Sequence, residues 1–377
     1  MRLPEPFRTT DVDAGGVRIR AAVGGDGPPL LLLHGYPQTH LIWHDVAPRL
    51  AGRFTVVATD LRGYGDSDRP APGPGDAAYA KRAMAGDQLA VMAALGFDRF
   101  GVAGHDRGGR VAHRLALDAP EAVSALAVLD IVPTRHALRH ADADFGHGYW
   151  HWFFLTAPAG IPERLIGNDP EFWITARMRS RHHGGTPFDP AAVAEYVRCF
   201  ADPAAIAASC ADYRAAAGID LTHDDADAGR LVQAPLLALW GAHSFVGRTY
   251  DVPGVWREYA RDVAGIPVDA DHCPRSGRRS SRSTSRRSSA ERSGGTGAGC
   301  ASGQVEPARW ALGDRPKRAR NARLNAAGSG IPHRAPTAPT PRWASSRRRR
   351  SSQAPCNRSS RITPTTEVSS SAKSLCR

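Results

Sequence analysis

The sequence predicts an α/β fold in which a mostly parallel sheet is flanked by helices. Short apolar runs alternate with segments of helical periodicity along the first 273 residues, a pattern typical of this class. The predicted strands are residues 16–23, 29–33, 54–59, 100–103, 123–129, 235–240 and 266–269. Helices are predicted over residues 85–95 and 110–117.

The strand pattern is interrupted between Pro133 and about Ala217. This stretch is typical of helices and loops, and it contains the aromatic run Tyr149-Trp150-His151-Trp152-Phe153-Phe154. An insertion after a strand would lie over the carboxyl edge of the sheet, where open α/β sheets bind ligands. We therefore predict four parts: a core of residues 1–133, a helical cap of residues 134–217, a second core part of residues 218–273 and a tail of residues 274–377.

The basic net charge of +12 comes from the tail. Residues 274–377 contain 23 Lys and Arg but only 4 Asp and Glu, so the preceding residues are mildly acidic. The tail is rich in Ser, Arg, Pro and Gly without a periodic apolar face, and we expect it to be disordered. It is either a basic segment that binds nucleic acid or a translation in the wrong reading frame. The abrupt change directly after His272 favours the second interpretation, so nucleic acid is not an expected partner.

The six cysteines form neither close-spaced metal pairs nor a dense disulfide framework, so we expect free thiols and no bound metal. The N-terminus lacks the apolar segment of a secretory signal, and no apolar run is long enough to span a bilayer. These features predict a cytoplasmic protein without a membrane partner.

The predicted nucleophile lies in the segment Gly104-His105-Asp106-Arg107-Gly108. This segment has the Gly-x-nucleophile-x-Gly form of a nucleophile elbow. The segment follows a predicted strand and precedes a predicted helix, as the motif requires. Asp stands where esterases have Ser. A carboxylate is already ionised near neutral pH, and it can displace a leaving group from an sp³ carbon to form an alkyl ester. Asp106 is therefore the predicted nucleophile.

Hydrolysis of such an ester needs a base for water and an acid that orients the base. His272 follows the last predicted strand, and Asp130 ends the strand after the elbow helix, in the chain order nucleophile, acid, histidine. The backbone N–H groups of Tyr36 and Arg107 would form an oxyanion hole. This chemistry requires no cofactor.

Four segments together resemble the fluoroacetate (haloacetate) dehalogenases of the α/β-hydrolase superfamily. They are His34-Gly35-Tyr36-Pro37-Gln38, Asp60-Leu61-Arg62-Gly63-Tyr64-Gly65, Gly104-His105-Asp106-Arg107-Gly108-Gly109-Arg110 and Tyr149-Trp150-His151-Trp152. The resemblance covers roughly residues 5–272. It implies an α/β-hydrolase fold with a helical cap inserted after the strand that ends at Asp130. It also implies hydrolytic dehalogenation of a short 2-haloacid such as fluoroacetate or chloroacetate.

The resemblance further implies the residues that bind the substrate. Arg107 and Arg110 match the two arginines that hold the substrate carboxylate, a planar anion that suits a guanidinium fork. His151, Trp152 and Tyr213 match the cap residues that bind the departing halide. From the residues alone, the two arginines could equally be solvated or structural, and the aromatic run could be ordinary packing.

Two other interpretations stay open. An epoxide hydrolase uses the same Asp nucleophile and His base together with paired cap tyrosines, and the predicted cap contains Tyr149, Tyr196 and Tyr213. Alternatively, the chain is an inactive product of a frameshifted gene, because it departs from the family pattern directly after His272. The expected partners are a small haloacid and water, and a homodimer is compatible with the sequence.

Overall fold

The structure is a computed structural model that describes residues 1–179 and 188–272. Its centre is an eight-stranded sheet in the order β1-β2-β4-β3-β5-β6-β7-β8. The strands are β1 (Arg8–Asp13), β2 (Arg18–Gly24), β3 (Pro29–Leu33), β4 (Thr55–Thr59), β5 (Phe100–His105), β6 (Val123–Leu129), β7 (Leu236–Gly241) and β8 (Val263–Val268). The β1–β2 and β2–β4 pairs are antiparallel, and every other pair is parallel. The predicted fold class is confirmed.

Helices connect and flank these strands. They are α1 (Ala47–Ala51), α2 (Lys81–Ala94), α3 (Arg107–Asp118), α4 (Thr134–Arg139), α5 (Ala143–Gly148), α6 (Trp150–Leu155), α7 (Ile161–Asn168), α8 (Pro170–Arg179), α9 (Pro190–Phe200), α10 (Pro203–Ala217), α11 (Ile219–Ala226), α12 (Phe245–Thr249) and α13 (Val252–Arg257). Short 3₁₀ helices cover His40–Trp43 and Pro74–Tyr79. The helices predicted over residues 85–95 and 110–117 are α2 and α3, each of which begins three or four residues earlier than predicted.

The sequence pattern does not predict β1. Its sequence, Arg-Thr-Thr-Asp-Val-Asp, is largely exposed at the edge of the sheet, so it has no apolar run or buried face to mark it. The strand forms because it pairs in register with β2 from Arg8–Val23 to Asp13–Arg18. Pairing with β2, the next strand along the chain, therefore determines this edge strand, because β1 has no buried apolar face of its own.

The core lies between the sheet and the helices. The central strands β3 and β4 are buried through Leu31, Leu33, Val56 and Val57. Nearly every residue of α3 is buried, because this helix packs against β5 and β6 and against α2. The elbow at the start of α3 is thereby fixed between a buried strand and a buried helix.

The sheet also carries an open apolar groove of about 630 Å³. Leu30, Leu237 and Leu239 line it and are only partly buried, together with the small residues Ala103 and Ala125. Parallel sheets are normally covered by helices on both faces. The described residues therefore leave part of this apolar sheet surface open.

Between β6 and β7 the described chain consists of helices α4 to α11 and the loops that join them. The cap boundaries at residues 134 and 217 remain a prediction. Residues 180–187 of the predicted cap and the whole predicted tail lie outside the described residues. Within the described ranges, no helix combines the length and the apolar character that a membrane crossing requires.

Candidate active site

The predicted nucleophile Asp106 lies in a sharp turn between β5, which ends at His105, and α3, which begins at Arg107. Its backbone angles, φ 49° and ψ −118°, are rare for a residue with a side chain. A Cβ at Gly104 would lie 2.3 Å from the carbonyl oxygen of Gly108, so the close turn requires glycine there. This strained backbone is the elbow that the sequence predicts, and strain of this kind is concentrated at functional sites.

The structure brings the three predicted catalytic side chains together. His272 Nε2 lies 3.0 Å from Asp106 Oδ2, and His272 Nδ1 donates to Asp130 Oδ2 at 2.6 Å. Asp130 Oδ1 accepts hydrogen bonds from the Gly241 backbone N–H at 3.0 Å and from Ser244 Oγ at 2.6 Å. These two donors, which sequence reasoning missed, hold the carboxylate that orients the imidazole. The Nε2 atom of the histidine is thereby turned toward Asp106.

His105, the residue before the nucleophile, supports the histidine loop. Its Nε2–H donates to the backbone carbonyl of His272 at 2.8 Å, and the two rings lie 4.8 Å apart. Burial, and then the neighbouring His272, lower the pKa of His105 to about 4. A neutral imidazole therefore links the elbow to the segment that carries the predicted base. Sequence reasoning treated this position as the variable residue of the motif and missed the contact.

The lowered pKa values of two buried histidines predict how the stability of the fold changes at acid pH. Burial lowers the pKa of His105 to about 4 and that of His113 to about 3, whereas an unfolded histidine titrates near about 6.5. The unfolded chain therefore binds these protons first, and stability that is present at neutral pH is lost as the pH falls below about 6.5. We expect the free energy of unfolding to fall by about 2 kcal/mol for each histidine between pH 7 and pH 5.

Urea unfolding at the two pH values measures this loss. The variant His113→Gln removes one titrating group whose ring packs 5.2 Å from Trp256. The variant should be less stable at pH 7, but its loss of stability toward pH 5 should be smaller than that of the wild type by about 2 kcal/mol. An identical pH dependence in both proteins would contradict this assignment.

The predicted oxyanion hole lies beside the nucleophile. The backbone N–H of Arg107 donates to Asp106 Oδ1. A Cβ at Gly35 would lie 2.4 Å from the Asp106 Cβ, so the backbone that leads into Tyr36 passes directly against the nucleophile. The Tyr36 side chain is fully buried, and its hydroxyl accepts a hydrogen bond from Trp173 Nε1 at 2.6 Å. The two backbone segments of the predicted hole are thus adjacent to Asp106.

The Arg107 guanidinium is held by an aspartate that sequence reasoning missed. Its Nε donates to Asp212 Oδ2 at 2.9 Å, and its Nη2 donates to Asp212 Oδ1 and, at 2.7 Å, to the Asp212 backbone carbonyl. Burial alone would lower the pKa of Arg107. The adjacent Asp212 carboxylate outweighs this effect and holds the pKa above its usual range. Among the described residues, Nη1 of this buried arginine has no hydrogen-bond partner.

Arg110, one helical turn after the nucleophile, has a different environment. Its Nη1 donates to the Val132 carbonyl at 2.9 Å and to Thr134 Oγ1 at 3.1 Å, which are both neutral acceptors. Burial and the charge of Arg107 lower the pKa of Arg110. Its Nε is buried without a hydrogen-bond partner, and no carboxylate of the described chain forms an ion pair with it. Arg110 is thus a buried cation that forms no ion pair with a carboxylate of the described chain, and the charge of nearby Asp106 only partly offsets the lowering of its pKa.

The three predicted halide ligands form one aromatic cluster. The rings of His151 and Trp152 lie 5.9 and 5.8 Å from the ring of Tyr213, and all three side chains are buried. The Arg107 guanidinium lies 4.2 Å from the centre of the Tyr213 ring, and that of Arg110 lies 4.6 Å from the centre of the Trp152 ring. Two of the three predicted halide ligands, Trp152 and Tyr213, therefore lie directly on the guanidinium groups predicted to bind the carboxylate.

No group of three or more metal-ligating side chains occurs in the part of the chain that the structure describes. Of the six cysteines, Cys199 and Cys210 fall within that part, and both are buried free thiols. Burial raises the pKa of each of these thiols to about 12. Both are therefore uncharged packing residues at neutral pH.

The fold and the site define an α/β hydrolase. The family model described as "alpha/beta hydrolase fold" matches residues 28–262, and the chain belongs to that family. Over 253 residues it is 47% identical to a fluoroacetate dehalogenase from Burkholderia sp, an alignment that covers 67% of this chain and 83% of the relative. The resemblance to the haloacetate dehalogenases is thereby confirmed.

Two further comparisons support the same family. A soluble epoxide hydrolase from Corynebacterium sp. (strain C12) is 35% identical over 260 residues, which cover 67% of this chain and 86% of that protein. The crystal structure of a candidate α/β hydrolase from Nostoc sp PCC 7120 is 53% identical with a TM-score of 0.70, and the match covers 71% of this chain and 92% of that chain. This chain therefore has relatives among both the dehalogenases and the epoxide hydrolases.

Proposed function

We propose that this protein hydrolyses the carbon–halogen bond of a short 2-haloacid such as fluoroacetate or chloroacetate. The observation that carries the proposal is Arg110, a buried cation without a paired carboxylate, one helical turn from Asp106. Buried charges in proteins are normally paired. An anionic substrate would supply the missing partner, whereas a neutral epoxide would not.

The remaining hydrogen-bond donors suit a carboxylate. Arg110 donates its hydrogen bonds within the protein through Nη1. Its Nε and Nη2 are left to form a bidentate pair of hydrogen bonds with a planar anion. Arg107 would contribute its Nη1, which has no partner among the described residues. A carboxylate bound between these groups would hold its α-carbon near the Asp106 carboxylate. Fluoroacetate dehalogenase as a relative at 47% identity supports the same substrate class.

The first chemical step is a displacement. Oδ2 of Asp106 attacks the α-carbon, the carbon–halogen bond breaks, and the halide leaves with the bonding electron pair. His151, Trp152 and Tyr213 would donate hydrogen bonds to the developing halide, because fluoride is a poor leaving group that needs such stabilisation. Oδ1 keeps its hydrogen bond to the Arg107 backbone N–H and becomes the carbonyl oxygen of the ester.

The second step hydrolyses the ester. His272 takes a proton from water, and the resulting hydroxide adds to the carbonyl carbon of the Asp106 ester. The backbone N–H groups of Tyr36 and Arg107 would stabilise the oxyanion. Collapse of this intermediate breaks the bond between the Asp106 carbonyl carbon and the oxygen of the product, and that oxygen receives the proton from His272 as the hydroxyacid leaves. The Asp106 carboxylic acid then loses its proton to water, which restores the carboxylate. Asp130 stabilises the protonated imidazole throughout.

Epoxide hydrolysis is the second candidate, because the soluble epoxide hydrolase from Corynebacterium sp. is also a relative. It would use the same Asp106 and His272, with cap tyrosines protonating the epoxide oxygen. In this chain, however, Tyr149 stacks on Trp152 at 5.9 Å, and the Tyr213 ring lies over Arg107. The buried Arg110 cation over the Trp152 ring fits a site for an anion better than one for a neutral epoxide.

The partners proposed for the protein are a small haloacid and water. We also propose the cytoplasm as its compartment, since the described cysteines are free thiols. A homodimer remains a prediction from the sequence.

The full-length protein tests the proposed function with two substrates. Fluoride release from fluoroacetate is followed with an ion-selective electrode, and diol formation from styrene oxide is followed by chromatography. We expect fluoride release without comparable diol formation. Diol formation without fluoride release would contradict the proposal and favour the epoxide hydrolase.

Arg110 provides a sharper test of the anionic substrate. In Arg110→Met the Michaelis constant for fluoroacetate should rise by about 100-fold, because the loss of a charged hydrogen-bond pair costs about 3 kcal/mol. The matched control Arg257→Met changes an exposed arginine on α13 and should leave the kinetics unchanged. An unchanged Michaelis constant in Arg110→Met would show that Arg110 does not bind the substrate carboxylate.

A further inference from the structure

Asp212 on α10 is a fully buried carboxylate whose acceptor positions are all used. Oδ1 accepts from Arg107 Nη2 and from Lys81 Nζ, and Oδ2 accepts from Arg107 Nε at 2.9 Å and from Tyr64 Oη at 2.7 Å. Burial alone would raise the pKa of Asp212, but Arg107 and Lys81 hold it well below its usual range. This carboxylate is therefore ionised, and hydrogen bonds from four donor atoms fix its position.

A fourth charged side chain completes the group. The Asp220 carboxylate accepts from the Lys81 backbone N–H at 2.8 Å and lies 3.6 Å from Lys81 Nζ. Two carboxylates, Asp212 and Asp220, thus face two cations, Lys81 and Arg107, and all four side chains are buried. The group is close to neutral as a whole. The positive charge of Arg107 is consequently balanced inside the protein, in contrast to that of Arg110.

This balance gives the two arginines different roles. Asp212 uses three of the five N–H donors of Arg107, so the guanidinium has one orientation and presents only Nη1. Tyr213, the next residue along α10, lies over the same guanidinium at 4.2 Å. A displacement of Asp212 would therefore move both the Arg107 donor and a predicted halide ligand relative to Asp106.

We propose that Asp212 is a positioning residue that aims Arg107 at the substrate carboxylate, so that Arg107 orients the haloacid while Arg110 supplies most of its binding energy. The inference rests on the proposed function. It assigns Asp212 an effect on the displacement step, because a substrate that is held but misaligned by about 1 Å reacts up to about 100-fold more slowly. Lys81 and Tyr64 act through Asp212.

The test compares three full-length proteins: the wild type, Asp212→Asn and the double variant Asp212→Asn with Lys81→Met. The single variant leaves Lys81 and Arg107 opposite one carboxylate, so it should be less stable. The double variant removes one charge of each sign and should recover most of the lost melting temperature. Folding and positioning can thereby be separated even if the single variant does not fold.

With fluoroacetate, we expect kcat of the double variant to fall by about 10- to 100-fold, while KM changes by less than about threefold. We also measure ester formation as the rate of the first halide release when each protein carries His272→Asn in addition. This rate should fall by the same factor as kcat. A kcat within about twofold of the wild type, a rise in KM without a fall in kcat, or an unchanged rate of ester formation would overturn the inference.

The wild type is measured in the same assay. This measurement separates failure of the proposed role of Asp212 from failure of the proposed function. A wild type that releases no fluoride contradicts the function and, with it, this inference. A wild type that releases fluoride, beside a double variant that does so equally fast, contradicts only the role of Asp212.

Discussion

Replacing Asp106 with Asn is expected to reduce halide release from fluoroacetate by at least about 10⁴-fold, the loss typical of removing a covalent nucleophile. The amide has nearly the same shape as the carboxylate but carries no negative charge, so it cannot displace a halide from an sp³ carbon. The side-chain oxygen of Asn can still accept the hydrogen bond that the Arg107 backbone N–H donates to Asp106 Oδ1. The fold should therefore be retained. An ion-selective electrode gives the rate, and circular dichroism checks the fold.

The matched control for this variant is Asp98→Asn, which makes the same chemical change at an exposed position before β5. It should release halide at the wild-type rate. If Asp106→Asn kept more than a few per cent of the activity with the fold intact, another group would have to be the nucleophile.

Replacing His272 with Asn is expected to stop turnover after the first displacement. The displacement needs only the Asp106 carboxylate, whereas hydrolysis of the ester needs a base for water, and loss of a general base costs about 10²- to 10⁴-fold. The variant should release a burst of about one halide per protein chain and then continue at a strongly reduced rate. Rapid mixing with fluoroacetate in excess measures the size of the burst.

His147→Asn serves as the control, because His147 is an exposed residue of α5. This variant should show continuous turnover at the wild-type rate. If His272→Asn gave neither a burst nor turnover, His272 would be needed before the carbon–halogen bond breaks, and the two-step scheme would fail.

The sequence could predict the centre of the fold and the triad because their signals are local. The buried strand β3 is a short apolar run with the predicted bounds, and β6 likewise matches its predicted residues. The elbow motif is a contiguous segment, and Asp130 and His272 each follow a strand of a parallel sheet. The carboxyl ends of such strands meet at one edge, which brings these side chains together.

The partners of these residues could not be predicted because they are distant in sequence. Asp212 holds Arg107 across 105 positions and Lys81 across 131 positions. One signal was present: Asp212 lies within the largely apolar segment Ala-Ser-Cys-Ala-Asp-Tyr of α10, where a charge needs a buried partner. The sequence did not indicate which cation that partner would be. The contact of His105 with the His272 carbonyl depends in the same way on tertiary packing.

The mass of the stalled His272→Asn protein tests the central claim most directly. After reaction with fluoroacetate and digestion, the peptide that contains Asp106 should carry one added carboxymethyl group, fragmentation should place this group on the Asp106 side chain, and mild base should remove it as an ester. The same peptide from Asp106→Asn with His272→Asn should remain unmodified. A halide burst without an adduct on this peptide, or an adduct on another residue, would contradict an aspartyl-ester mechanism at Asp106.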